Sequence, residues 1–269
     1  MTHEYGGYAG NLLRVDLSKG TIKKVELSKE LCKLYIGGRG RDAKILFDEL
    51  QPSADPLGAN NILCISTGPI TGLLGPTTGR LNVAAKSPLT GIYGNSNAGT
   101  NFGPELKYAG YDGIIVKGRA KSPVYLHVHD DIVELRDAKH LWSKGVFETT
   151  EILQEECDGY DTKVAAAGPA AERGVLFGSL IFDFWDAAGR TGTGTVMASK
   201  NLKAIAVRGT GELRVADAKR YTDAMTDGWL GVINDPGFRT MEHSALGTSV
   251  CVGWGNAQGW LVTRNFRDG

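Results

Sequence analysis

Glycine places the strongest constraint on this chain. It accounts for 37 of the 269 residues, about twice the usual share. The glycines follow no collagen-like period, and aliphatic and aromatic residues separate them, so the chain is neither fibrous nor disordered. Glycine at this density serves tight turns or backbone that comes close to a ligand. The excess is concentrated: residues 68–118 hold 11 glycines in 51 positions.

Two glycine-rich stretches read as turns, Gly94–Gly103 just before a helix and Trp185–Gly194. Backbone N–H groups in such turns form anion cradles. Neither stretch is a Walker-type loop, and Gly189, Gly192 and Gly194 lack dinucleotide spacing. From the pattern, phosphate binding and plain tight turns both stay open. Arg80, where a glycine-proline loop enters a strand, and Arg190, in the second turn, are candidate anion partners. Each also reads as a surface arginine.

A weak internal repeat links the two stretches. Ala98-Gly99 begins a segment ending Ile114-Ile-Val-Lys-Gly118, and Ala188-Gly189 begins one ending Ile205-Ala-Val-Arg-Gly209. Two related half-sheets, each presenting a glycine turn on the same side, would produce it.

Hairpins are expected at Asn11–Asp16 with Thr21–Glu26, and at Val124–His129 with Ile132–Arg136. Further strands are expected at 62–66, 81–85, 113–117, 163–167, 175–182 and 202–208. Ser28 reads as the N-cap of a short helix. Other helices are expected at 42–50, 102–109, 146–157 and 215–229, the last forty residues being loop-like. This order describes an α+β domain over 1–210 and the opening of a helical region over 211–269.

Other functions are excluded by charge and cysteine. With 30 Lys+Arg against 30 Asp+Glu and no basic cluster, the chain has no nucleic-acid footprint. No apolar run is long enough to span a membrane, and the start of the chain lacks signal-peptide features. Cys32, Cys64, Cys157 and Cys251 are scattered, with no C-x-x-C pair, so the chain shows no zinc or iron–sulfur ligand set of its own. They read as buried free thiols in a reducing cytoplasm. His127 and His129 share a strand face but sit near a hairpin tip, which reads as solvated. Trp254, Trp260 and Phe266 read as packing against a missing neighbour.

Several strings together resemble a known family. They are Thr67–Gly72, Thr78–Asn82, Lys86–Gly91, Phe102–Asp112, Arg136–Trp142, Ala188–Arg190 and Met197–Ala206. In order and spacing they look like the N-terminal part of the tungsten-containing aldehyde:ferredoxin oxidoreductases. The resemblance implies two similar β-sheets related by a pseudo-twofold axis, forming a base for a tungsten bis-molybdopterin cofactor. It places Arg80 between pterin and a [4Fe–4S] cluster. It assigns magnesium to the backbone carbonyls of Asn97 and Ala187, and cofactor contacts to Ala98, Gly99, Asp186, Gly189 and Arg190. Asp186 departs from the pattern, because several members carry arginine there.

The resemblance implies oxidation of an aldehyde to a carboxylic acid, with electrons passing to ferredoxin and a homo-oligomeric assembly. Family chains are a little over twice this length, and their cluster cysteines lie beyond the point matching Gly269. The expectation is therefore a fragment, a truncated product or part of a longer protein. The alternative is a non-catalytic pterin-binding or scaffold subunit that works only with a partner chain.

Overall fold

Two six-stranded sheets are built in succession from the chain. The structure is a computed structural model that describes residues 6–235, 243–264 and 267–268. The chain divides into two compact units, Met1–Asp217 and Ala218–Gly269.

The first sheet contains β1 (Asn11–Asp16), β2 (Thr21–Glu26), β3 (Leu63–Thr67), β4 (Arg80–Lys86), β5 (Tyr93–Gly99) and β6 (Gly113–Lys117), in the order β2-β1-β6-β3-β4-β5. The second contains β7 (Val124–His129), β8 (Ile132–Asp137), β9 (Lys163–Ala167), β10 (Leu180–Phe182), β11 (Asp186–Ala188) and β12 (Leu202–Arg208). Its order, β8-β7-β12-β9-β10-β11, repeats the first with every strand advanced by six. The strand directions repeat too. β1–β6 and β7–β12 are parallel, and every other neighbouring pair is antiparallel. The repeat expected over residues 98–118 and 188–209 is thus the closing part of a pseudo-twofold repetition of whole sheets.

Helices repeat with the strands. α1 (Lys29–Tyr35) and α2 (Gly38–Glu49) precede β3, as α4 (Val146–Glu156) precedes β9. α3 (Phe102–Tyr108) joins β5 to β6, as α6 (Thr193–Ser199) joins β11 to β12, and α5 (Pro169–Glu172) follows β9. α3 and α6 lie in the main core, each touching both sheets. Phe102 and Phe182 meet edge-to-face across that core, 5.2 Å apart, a favoured aromatic geometry. β6 and β12 are central and almost fully buried, which explains their near-continuous apolar character. α2 covers the outer face of the first sheet and α4 that of the second.

Three fully buried lysines tie this packing together. Lys107 pairs with Asp112 at 3.2 Å, and Lys203 with Glu172 at 2.6 Å. Lys200 instead reaches from the second half to carbonyls of the first, Asn61 at 2.5 Å and Gly118 at 3.3 Å. Burial pushes its ammonium down to about 8.

Ser28 caps α1 by accepting from Leu31 N–H at 3.1 Å, as expected. Other expectations are corrected. α2 begins at Gly38 rather than Asp42, because Gly37 and Gly38 join two helices instead of ending one. The strand expected over 175–182 is only Leu180–Phe182, and Leu176 and Phe177 are exposed. The stretch from Gly94 is no turn at its start: β5 runs through Gly99, paired with β4 along its full length. His127 is buried rather than solvated.

In the second unit, α7 spans Ala218–Ile233 and no residue of it is buried. The last forty residues are not all loop, since Cys251–Ala257 is helical. Trp254 and Trp260 meet at 4.4 Å; Phe266 lies outside the described residues. Cys32, Cys64 and Cys157 are buried free thiols, whereas Cys251 is partly exposed. Among the described residues no helix is long and apolar enough to cross a membrane.

Candidate functional site

β5 and β11 are the edge strands of their sheets and lie against each other. The two glycine-rich stretches are therefore brought to one seam. Arg190 N–H donates to the Ser96 hydroxyl at 3.2 Å, tying the loop after β11 to β5.

Ladder alternation decides which backbone groups reach the open side. Thr100 N–H donates to Gly79 O at 3.2 Å and Ser87 N–H to Ile92 O at 2.9 Å. Both pairs continue the β4–β5 register. In an antiparallel pair, hydrogen-bonded and non-hydrogen-bonded residues alternate. Ser96 and Ala98 thus bond toward β4, while Asn97 and Gly99 turn their N–H and C=O away from it.

The second half follows the same rule. Asp183 N–H donates to Val164 O at 2.6 Å, so Ile181 bonds toward β9 while Leu180 and Phe182 bond toward β11. Asp186 and Ala188 are then engaged with β10. Ala187 turns its N–H and C=O outward, as does Gly189 beyond it.

Asn97, Gly99, Ala187, Gly189 and Arg190 are exposed, and Asp186 is partly so. Ala98 faces inward, with its methyl in the core and its backbone on β4. The same holds for Ala188 on β10.

Gly99 and Gly189 differ from most of their neighbours. Neither has a positive φ, so neither needs glycine for its conformation. A Cβ on Gly99 would meet nothing closer than Arg80 Nε at 3.8 Å, and one on Gly189 nothing closer than Ala187 Cβ at 3.9 Å. By contrast, a Cβ on Gly194 would strike Ser179 O at 2.1 Å. Packing therefore requires Gly194 but neither Gly99 nor Gly189.

Arg80 begins β4 directly opposite Gly99, and its side chain runs past that glycine. The register pairs Leu81 with Ala98 and Leu180 with Ala188. Ser179 is thus the second-half counterpart of Arg80, and its Oγ lies 4.0 Å from where a Gly189 Cβ would be. Sequence reasoning missed Ser179 and Ser96. Only the strand alternation, once β5 and β11 are known as strands, marks them.

The histidines are not drawn into this seam. His129 pairs with Asp158 at 2.9 Å, and burial lowers the His127 imidazole below its usual range. Among the described residues no three His, Cys, Asp or Glu side chains gather as a metal-binding group.

Residues 12–209 match the family model described as the aldehyde ferredoxin oxidoreductase N-terminal domain. The chain belongs to that family. The tungsten-containing aldehyde ferredoxin oxidoreductase of Pyrococcus furiosus is 43% identical over 268 residues, covering 98% of this chain and 44% of the relative. The protein of that name from Thermococcus kodakarensis is also 43% identical. An aliphatic sulfonate oxidoreductase, WOR-like subunit, of Pyrococcus furiosus is 38% identical over 90% of this chain. Among solved structures, the active site complex BamBC of benzoyl coenzyme A reductase with 1,5-dienoyl-CoA superposes with a TM-score of 0.83 at 38% identity. That match covers 85% of this chain and 35% of that one. The chain therefore spans less than half the length of these aldehyde ferredoxin oxidoreductase relatives.

The relatives' names carry tungsten, and the lining of the seam suits a phosphate-bearing group. Here two glycines stand open without a packing reason, edge carbonyls and N–H groups face outward, and two exposed guanidinium groups flank them. Asp186 adds a carboxylate beside them.

Proposed function

We propose that residues 1–210 form a pterin-binding base that works together with further protein. Its seam would hold the phosphate ends of a tungsten- or molybdenum-bearing bis-pterin, together with magnesium. The observation that carries this reading is the pair Gly99 and Gly189, open to solvent and not needed as glycine by the fold.

The roles of the residues follow from their directions. The outward carbonyls of Asn97 and Ala187 are hard oxygen ligands, suited to magnesium. Outward N–H groups of the edge strands donate to phosphate oxygens, and Arg80 and Arg190 add charge-assisted donors. The missing side chains at Gly99 and Gly189 let the ligand lie against the backbone. Magnesium or Arg190 offsets the carboxylate of Asp186. When bound, the cofactor supplies two-electron redox chemistry at its metal. The chain's own part is to bind and orient it.

Two observations favour a base acting with a partner or a continuation over a self-sufficient catalyst. The relatives match over 44% of their length, and the described residues gather no metal-binding cluster. Relatives built on this base carry names from aldehyde, sulfonate and benzoyl coenzyme A chemistry, so substrate choice belongs outside it. A second reading rests on the 43% relatives. It is a cytoplasmic assembly that oxidises an aldehyde and passes electrons through a [4Fe–4S] cluster to ferredoxin.

The test is metal and pterin analysis of protein purified with whatever it is bound to. Pterin with tungsten or molybdenum is expected, and a preparation free of pterin overturns the reading. Dye-linked aldehyde oxidation by the loaded preparation supports the second reading, and its absence leaves the binding base.

A further inference from the structure

β5 is a poor strand by composition. Tyr93–Gly99 reads Tyr-Gly-Asn-Ser-Asn-Ala-Gly, and Gly and Asn are depleted in strands. It also lies at a sheet edge, held by a ladder on one side only. Such strands have weakly specified register. A slip of one residue would turn the backbone groups of Asn97 and Gly99 toward β4 and those of Ser96 and Ala98 outward. The candidate site therefore depends on something beyond the ladder to hold the register.

A polar string supplies it. Asn95 Nδ2 donates to Asn82 Oδ1 at 3.2 Å. Asn82 Nδ2 donates to Asp42 Oδ2 at 2.7 Å. Asn82 is 2% exposed and Asp42 0%. A carboxylate only accepts, so the Asn82 amide must aim its nitrogen at Asp42. Its oxygen is then left facing β5, where only a donor fits. Asn82 is also the direct cross-strand partner of Asn97. The root of the string is firm. Asp42 sits on α2 beside Arg41, whose Nη2 donates to Thr67 O at 3.0 Å and to Asp112 O. Ser66 and Arg41 are buried with it, and both favour its carboxylate form against the effect of burial. The second sheet has no matching string, since β11 is only three residues long and carries no asparagine.

We infer that Asp42, acting through Asn82 and Asn95, is a positioning residue that pins the register of β5 and so sets where Asn97 and Gly99 meet a ligand. The inference rests on the proposed reading of the seam for its functional meaning. The pin itself is tested independently of that reading.

The experiment is hydrogen exchange by mass spectrometry at neutral pH, comparing the segment 93–99 with the central strand β9 as an internal control. Asp42→Ala should speed exchange of 93–99 at least tenfold while β9 stays unchanged. Asp42→Asn keeps an acceptor for Asn82 and should restore near-native protection. Asn95→Ala, at a partly exposed position, should loosen the same segment without disturbing the buried end of the string. Combined with Asp42→Ala it should add little. Native exchange of 93–99 in both alanine variants, or equal loss of protection across β9, overturns the pin. Pterin and metal are measured in the same samples. If the segment loosens in a protein whose parent never carries pterin, the pin stands and the reading of the seam falls.

Discussion

Arg80 stands opposite Gly99 across the β4–β5 pair, and its guanidinium chain runs past the open side of that glycine. The glycine is unconstrained by packing. Gly99→Val and Gly189→Val should therefore leave the folded state nearly intact, with stability changed by under about 1 kcal/mol. Pterin and metal content should fall at least tenfold. Gly194→Ala is the contrast, because its Cβ would collide with backbone, and it should lose several times more stability. Denaturant titration alongside metal analysis reads both effects. Equal losses of stability and cofactor in all three variants would return Gly99 and Gly189 to a structural role.

Arg80→Gln should lower cofactor content without altering the unfolding midpoint. The side chain is exposed at the start of its strand, and surface substitutions of that kind change stability by about 0.5 kcal/mol or less. A drop in midpoint matching the drop in pterin would show that Arg80 supports the fold instead.

The Lys203–Glu172 pair is fully desolvated. Glu172→Ala leaves the Lys203 ammonium with only the carbonyls of Lys144 and Ala167. Breaking one side of a buried pair costs about 3–5 kcal/mol. Burial already pulls Lys203 below its ordinary range, against the upward effect of Glu172. A lysine lowered in the folded state gains stability as pH rises toward its unfolded range. The variant's deficit should shrink between neutral pH and about pH 10. Urea titrations at several pH values check the size and the slope.

Asp42 sets a different pH window. Burial raises its carboxyl from the ordinary 3.8 to about 6. The folded state therefore holds a proton that the unfolded state has released, and stability from this group is lost as pH rises through about 6. Asp42→Asn removes that dependence. Its stability relative to the parent should grow by roughly 2 kcal/mol between pH 4 and 7 and stay level above that. A flat difference over the whole range would mean that Asp42 is ionised in the fold throughout.

Much of the architecture was legible because burial writes itself into sequence. Ile114–Val116 and Ile205–Val207 are apolar because their strands are central, and both hairpins carry β-branched and aliphatic residues on either side of a turn. β5 was not legible: its Gly-Asn-Ser-Asn run carries turn propensity, and only pairing with β4 makes it a strand. The outward direction of Asn97 and Ala187 was equally hidden. It depends on which hydrogen-bond parity each ladder adopts, and residue type does not encode parity. Lys200 and Lys203, within the Met197–Ala206 string, are spent inside the protein on backbone carbonyls and Glu172.

The sheet repetition is faithful in topology but not in chemistry at one place. Where the first half offers Arg80, the second offers Ser179. A ligand with two identical ends would meet Arg80 across the strand from one glycine, but at the other the Ser179 hydroxyl across the strand and Arg190 next in the chain. The scaffold thus makes equivalent ends distinguishable: it gives a symmetric guest a head and a tail, and with them a direction in which to face the rest of the assembly.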